Sequence, residues 1–264
     1  MNNISESLHC RNKVSLRAAN SLNSDTKEIN EYVLVVPSAG LTAFFPFNGS
    51  INDAGPKKLV SVIPLLTTVI DLENGVDRKG VKGNVVSLNN TGGFIVENNY
   101  IGSSDGPFNF KTGDFSISCW VNLTVRKVAM VFQSHLGGVT PLLYELPDPC
   151  AWLRLNQNAE RRVQFNLEDQ FHPDDPNLEN LDGKWHHIVI VREGLNRKIY
   201  FDNERWDKPE PDAVLIDIYG IGPFSFGMQN GVNGFSNFYD GMLDDFIVYK
   251  KALTDAEVKA LFEL

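Results

Sequence analysis

Short stretches in which apolar and polar residues alternate recur along most of this chain, and they constrain its fold more than any other feature. From about residue 41 onward they are separated by Gly, Asn, Asp and Pro, the residues that end strands and form turns. Helical periodicity appears only after Thr254. We therefore predict an all-β fold, an antiparallel two-sheet β-sandwich (jelly roll) with a short C-terminal helix.

The alternation also predicts the individual strands and the extent of the domain. Residues 1–31 are polar and rich in Asn and Ser, which favours a flexible N-terminal extension. The remaining residues, 32–264, suit one domain of this class. The predicted strands are Tyr32–Val36, Thr42–Phe47, Val85–Leu88, Gly93–Val96, Phe115–Leu123, Ala129–Ser134, Leu142–Glu145, Trp152–Asn156, Val163–Leu167, His186–Arg192, Lys198–Asp202, Phe224–Gly227 and Leu243–Tyr249.

Two adjacent carboxylates, Asp244 and Asp245, stand inside the predicted closing strand, whose other residues are mostly apolar. Successive strand residues point to opposite faces of a sheet. At least one of the two carboxylates is therefore expected in a buried environment, where it needs hydrogen bonds, a cation or a metal.

The last residues predict a helix that packs on the domain. Thr254 precedes Glu257 by three residues, the spacing of a capping box. An apolar stripe of Val258, Leu261 and Phe262 follows, which gives the helix one face to bury.

Three of the predicted strands each combine an apolar face with a face of mixed polar and aromatic residues. Planar aromatic surface together with amides, Arg and carboxylates is the mixture that binds glycans in a concave site. If the three strands are neighbours, these side chains form a platform for a glycan. Alternatively, Trp120 lies in the core and the polar residues are simply solvated. The candidate ligand-binding residues are Trp120, Trp152, Arg154, Asn156, Gln164, Asn166 and Glu168.

Four segments, in this order, are similar to segments of the concanavalin A-like lectin/glucanase superfamily in its laminin G-like jelly-roll branch. The resemblance covers about Leu41 to Leu264, and one departure is Asn203 in place of a turn glycine. The four segments are LTAFFPFNGSINDAG, GDFSISCWVNL, LDGKWHHIVIVREGLNRKIYFDN and YDGMLDDFIVYKKALTDAEVKAL.

This resemblance implies that the first and last strands of the sandwich are neighbours, with a structural Ca²⁺ held between them. Calcium binds several carboxylate, amide and carbonyl oxygens, and the expected ligands are Asn48, Asp53 and Asp244. In the alternative interpretation, Asp53 forms an Asx-turn and Asp244 accepts backbone N–H bonds.

The charge and hydropathy of the chain exclude several functional classes. A formal net charge of −9 does not suit nucleic-acid binding, which needs a basic patch. No apolar run is long enough to insert into a membrane. The first thirty residues lack the apolar region of a signal peptide, so no export signal is predicted, although the resemblance suggests an extracellular or cell-surface protein.

Taken together, these features favour a non-catalytic, lectin-like, carbohydrate-binding domain whose partner is a glycan or glycoconjugate. The alternative is an adhesion or interaction module of the laminin G kind that binds protein. A divergent polysaccharide hydrolase or lyase is the third hypothesis, although the E-x-D-x-x-E pattern of the laminarinase-type relatives is absent from the sequence.

Overall fold

The computed structural model describes residues 8–11, 33–64, 70–96, 106–123, 128–134, 151–155, 163–167, 170–171, 182–218, 224–231 and 234–264. These residues form short strands and one helix. In chain order they are β1 Leu8–Arg11, β2 Val33–Val36, β3 Leu41–Phe45, β4 Ser61–Val62, β5 Val86–Asn89, β6 Phe94–Val96, β7 Phe115–Leu123, β8 Ala129–Gln133, β9 Trp152–Leu155, β10 Val163–Asn166, β11 Gln170–Phe171, β12 Trp185–Glu193, β13 Asn196–Phe201, β14 Glu204–Asp207, β15 Phe224–Phe226, β16 Gln229–Gly231, β17 Gly234–Ser236, β18 Asp240–Tyr249 and α1 Asp255–Phe262.

Two large antiparallel sheets form the body of the domain, which confirms the predicted fold class. In the first, which we call the helix-side sheet, the strand order is β14-β13-β12-β7-β18-β3, and β5 also pairs with β18. In the second, the hairpin-side sheet, the order is β11-β10-β9-β8-β15-β6-β4. The hairpin formed by β16 and β17 is a separate two-stranded sheet.

The main core lies between the two sheets and is rich in phenylalanine. Phe115 and Ile117 of β7 belong to it, as do Leu153 of β9 and Phe165 of β10, as the alternation predicts. Aromatic rings pack edge-on or stacked in its centre, for example Phe226 and Phe246 at 4.5 Å between centroids. Burial of this apolar surface is the main force that holds the sheets together.

A second, smaller core lies on the outer face of the helix-side sheet, beneath α1. Val189, Ile247 and Tyr249 are buried there against Val258 and Leu261 of the helix. The helix-side sheet is therefore buried on both faces where the helix covers it, so its polar outward residues do not all meet solvent.

The N-terminal segment and the short elements differ most from the sequence-based picture. β1 lies within the predicted extension and pairs with β2. Most of residues 1–31 and the predicted strand Leu142–Glu145 lie outside the described residues, so the domain boundary stays a prediction.

Asn203 has a φ of 68°, so it adopts the left-handed conformation that the turn requires. In the described ranges, no helix is long and apolar enough to span a membrane.

The predicted capping box is present at the start of α1. The amide of Glu257 donates to Thr254 Oγ1 (3.3 Å), and the amide of Thr254 donates to Glu257 Oε2 (3.0 Å). Lys251 forms an ion pair with the same glutamate at 2.5 Å, so the start of the helix is tied to the end of β18.

We expect Thr254→Ala to lower the free energy of unfolding by about 1 kcal/mol, because the amide of Glu257 loses its acceptor. Thr254→Ser retains a hydroxyl acceptor and should stay close to the parent protein. Urea denaturation curves of the two variants measure the difference; equal midpoints would contradict a stabilising cap.

Candidate functional site

The predicted polar strands β9 and β10 are neighbours, as the platform hypothesis requires. They pair antiparallel, with Gln164 opposite Arg154 and Asn166 opposite Trp152. The apolar residues between them point into the core, so Arg154, Gln164 and Asn166 share the outer face of the hairpin-side sheet. We call this surface the polar face.

The hairpin β16–β17 holds the guanidinium of Arg154 in place on the polar face. Arg154 Nη2 donates to Gln229 Oε1 at 3.2 Å, and the side-chain Nδ2 of Asn237 donates to the same oxygen. Since one side-chain oxygen accepts from two side chains, both Arg154 and the hairpin are fixed relative to the sheet.

A second set of hydrogen bonds anchors the hairpin to the neighbouring strand. Gln133 of β8 donates to the carbonyl of Asn230 at 3.0 Å and accepts from its amide at 3.1 Å. Gln164 and Asn166 are buried, whereas Arg154 is half-buried. The described residue of the polar face that a ligand can reach is therefore Arg154, with the buried amides behind it.

Trp120 was predicted to join this platform, and the structure places it elsewhere. It lies on β7, in the helix-side sheet, on the face covered by α1. Its ring stacks on Phe262 of the helix at 5.7 Å and lies 5.0 Å from the ring of His187. The prediction that Trp120 shares a face with Arg154 is wrong, because periodicity assigns a face but not a sheet.

The described part of the chain does not include the remaining predicted ligand side chains. Asn156 and Glu168 lie outside the described residues, and the side chain of Trp152 does as well. Their part in ligand binding stays a prediction.

The adjacent carboxylates of the closing strand both bind one guanidinium. Arg78 Nη1 donates to Asp244 Oδ2 at 2.6 Å, and Arg78 Nη2 donates to Asp245 Oδ2 at 2.7 Å. The guanidinium carbon also lies 4.7 Å from the centroid of the Trp120 ring. The cation that the sequence requires for a buried carboxylate is therefore an arginine 166 residues away along the chain.

A bulge in β18 places both carboxylates on the same side, whereas strict alternation would have placed them on opposite faces. The register against β7 shifts between Asp244 and Ile247, and Asp245 has a φ of 40°. Leu243 and Phe246 both point into the main core, so the two residues between them form the bulge. At this point the other neighbour of β18 changes from β5 to β3.

Burial governs the protonation of this pair. Desolvation raises the pKa of Asp244 well above its ordinary value, and the neighbouring Asp245 raises it further, while Arg78 lowers it. Desolvation also raises the pKa of Asp245, against the opposing charge of Arg78. Arg78 is therefore the main group that opposes protonation of the two carboxylates.

Asp53 accepts three backbone hydrogen bonds in a turn beside β3. Its Oδ1 accepts from the amides of Phe44 (2.7 Å) and Gly55 (2.6 Å), and its Oδ2 accepts from the amide of Leu59 (3.2 Å). This is the alternative that the sequence left open for Asp53. The carboxylates of Asp53 and Asp244 thus both have N–H partners, and calcium at Asn48, Asp53 and Asp244 stays a prediction.

Sequence reasoning missed Arg78, Gln229 and Asn237. The adjacent aspartates signalled that some cation was needed, but 24 residues of the chain are Lys or Arg and nothing in the spacing selects one of them. Gln229 and Asn237 lie in strands and turns too short to show periodicity.

The comparisons with known proteins agree with this architecture. A family model described as the concanavalin A-like lectin/glucanases superfamily matches residues 95–259, which is well over half of the chain. No curated protein sequence matches.

Several solved structures share the fold. The binding domain of Paraclostridial Mosquitocidal Protein 1 has a TM-score of 0.61 at 18% identity, over 84% of this chain and 52% of that one. Domain 4 of AbnA, a GH43 extracellular arabinanase from Geobacillus stearothermophilus in complex with arabinotriose, has a TM-score of 0.56 at 17% identity, over 85% and 98%. The receptor binding domain of botulinum neurotoxin D has a TM-score of 0.56 at 14% identity, over 85% and 52%. The chain thus spans about half the length of the mosquitocidal and botulinum domains.

We expect Arg78→Ala to lower the free energy of unfolding by about 3–5 kcal/mol at about pH 8, because it leaves two buried carboxylates without their cation. Without Arg78 the pKa values of both carboxyls rise further, so the folded variant binds protons more tightly than the unfolded chain. Stability therefore falls as pH rises through these pKa values, and the loss should shrink at about pH 5.

Denaturation of Arg78→Ala at both pH values, beside Arg205→Ala, tests this expectation. Arg205 is an exposed arginine that pairs with Asp207, and its removal should cost less than about 1 kcal/mol. If the loss of unfolding free energy in Arg78→Ala were the same at both pH values, Arg78 would not control the protonation of the two carboxylates.

Asp53→Ala should lower the free energy of unfolding by at least about 3 kcal/mol, because three backbone amides lose their acceptor at about 1–3 kcal/mol each. Asp71→Ala is the matched control, since Asp71 accepts from the amides of Glu73 and Asn74 at an exposed site.

The melting temperature of the parent protein with and without EGTA tests whether calcium is bound. A lower melting temperature in the presence of EGTA would show that the parent protein binds a cation. An unchanged melting temperature would mean that Asp53 and Asp244 are held by N–H donors of the protein.

Proposed function

Because the chain belongs to the concanavalin A-like lectin/glucanase superfamily, we propose that it is a non-catalytic, lectin-like domain that binds a glycan on its polar face. Domain 4 of the arabinanase supports this proposal, since the chain covers nearly all of that domain, which is in complex with arabinotriose. The binding domain of botulinum neurotoxin DC, in complex with SialylT, is a weaker guide. The chain covers 51% of it, so the ligand need not belong to the shared half.

The observation that carries the proposal is the arrangement around Arg154. Arg154 is half-buried, its guanidinium is held by Gln229, and the residue lies opposite Gln164 on the neighbouring strand. Recognition of sugar hydroxyls needs a few polar groups fixed in orientation before the ligand arrives. A guanidinium meets this need, since its N–H donors lie in a rigid, planar fork.

The composition of the polar face favours binding over hydrolysis. Glycoside hydrolysis normally uses two carboxyl groups on either side of the scissile bond. β8, β9 and β10 contain neither Asp nor Glu, so these strands do not supply such a pair. Turnover of a polysaccharide that disappears in Glu168→Gln would instead support the enzymatic hypothesis.

A protein-binding adhesion module is the second candidate, and an exposed strand edge favours it. Among the described strands, β4 is the last of the hairpin-side sheet, and Val60 and Ile63 on either side of it are exposed. A partner strand could pair there through its backbone. The extracellular or cell-surface location that the resemblance suggests would suit both candidates.

We expect Arg154→Ala to reduce binding on a glycan array at least about tenfold, which corresponds to the loss of one charge-assisted hydrogen bond of about 1.5–3 kcal/mol. Gln229→Ala should weaken binding less, because the guanidinium remains but is no longer fixed. Arg205→Ala, an exposed arginine on the other sheet, is the matched control.

Two results would contradict the proposal. If Arg154→Ala binds the same glycans as the parent protein, the polar face is not the site. If no glycan binds and a protein partner is lost on Val60→Asp and Ile63→Asp, the adhesion module replaces the lectin.

A further inference from the structure

An open groove lies on the helix-side sheet, on the opposite side of the sandwich from the polar face. Its volume is about 470 Å³. The lining residues that concern its chemistry are Arg78, Lys79, Trp120, Trp185, Asp202 and Phe262.

A rigid turn forms one wall of the groove. Asp77 Oδ1 accepts from the amides of Lys79 (2.8 Å) and Val81 (2.7 Å). The indole Nε1 of Trp185 donates to the carbonyl of Val76 at 3.3 Å. The turn and the indole therefore hold one another in position before any ligand arrives.

Trp120 and Asp202, which line other parts of the groove, are also held in place by contacts within the protein. Trp120 is held between Phe262 of α1 and Arg78, as described above. Asp202 accepts from the amide of His187 at 2.8 Å, and its other oxygen lies 2.7 Å from His186 Nδ1. A site with fixed walls loses little conformational entropy on binding.

The chemistry of the groove is that of a sugar site. Trp185 is half-buried, so part of its indole is available to an apolar ligand face, with Phe262 and the edge of Trp120 nearby. Lys79 is exposed and carries three donors, and a carboxylate such as Asp202 has about four acceptor positions. Two of these positions are used by the histidines, so acceptor capacity remains for hydroxyl groups.

A peptide strand is a poorer fit than a saccharide. Trp120 belongs to β7, which pairs with β12 on one side and β18 on the other. A peptide could not add to the sheet at Trp120 by backbone pairing. β12 pairs with β13 only from Ile188 onward, so Trp185 is paired on the β7 side.

We propose that this groove is a second saccharide-binding site, in which the ring of a sugar stacks on Trp185 and its hydroxyls bind Lys79 and Asp202. The domain would then bind glycans on both outer faces of its sandwich, so one protein molecule could link two glycan chains. The inference shares its ligand class with the proposed function but does not depend on the polar face.

The experiment is a titration of the intact chain, labelled with ¹⁵N at the tryptophan indoles and followed by NMR. The chain has four tryptophans, and each indole signal is assigned by a Trp→Phe variant. Arabinotriose and a panel of neutral and acidic oligosaccharides are the probes. We expect saturable shifts at Trp185 and Trp120 and no shift at Trp206, which packs against the main core outside the groove.

Two variants locate the binding. Trp185→Ala should weaken binding in the groove at least about tenfold, because the sugar ring loses the aromatic surface on which it stacks. Lys184→Ala, an exposed neighbour that pairs with Asp182, should leave it unchanged. If Trp185→Ala does not fold, Lys79→Ala replaces it, because that side chain is exposed.

The outcomes distinguish binding in the groove from binding on the polar face. Shifts at Trp185 that persist in Arg154→Ala support the groove, whether or not the polar face also binds. An unchanged Trp185 signal with every oligosaccharide at millimolar concentration overturns the inference, as does equal affinity in Trp185→Ala. Binding that Arg154→Ala abolishes and Trp185→Ala leaves intact supports the proposed function and overturns the second site.

Discussion

The ion pair between Arg78 and the adjacent aspartates of β18 is the contact on which much of this domain depends. β18 is an interior strand that pairs with β7 on one side and with β5 and then β3 on the other. Asp244 and Asp245 stand where this second partner changes, and strict alternation would turn one of them into the phenylalanine-rich core. The bulge turns both outward, and Arg78 makes their burial tolerable.

The same contact links the stability of the fold to the two proposed binding surfaces. The turn that carries Arg78 also forms a wall of the groove, and the guanidinium lies against Trp120, which in turn stacks on α1. Because α1 covers one outer face and the β16–β17 hairpin covers the other, the two faces acquire different chemistry. One presents tryptophan, lysine and a carboxylate, and the other presents an arginine backed by buried amides.

Much of the fold follows from local patterns. β7 begins and ends where its alternation predicts, the capping box at Thr254 starts the helix, and Arg154 and Gln164 share a face because their strands alternate cleanly. The bulge in β18 escapes such reasoning, since one extra residue reverses every later face: Leu243 shares the core with Phe246 and Val248, where strict alternation groups it with Ile247 and Tyr249. Strands of two to four residues, such as β4 and β16, are too short to show a period at all.

The sequence by itself determined which side chains could be buried together within each strand, and that a carboxylate in the closing strand needed a cationic or hydrogen-bonding partner. Only the tertiary structure decided that the cation is Arg78, and that Trp120 and Arg154 lie on different sheets. The physical reason is the range of the interactions. Alternation and capping act over a few residues, so they can be read locally. Strand order and ion pairs join residues that are distant in the chain, and they are selected by packing of the whole domain.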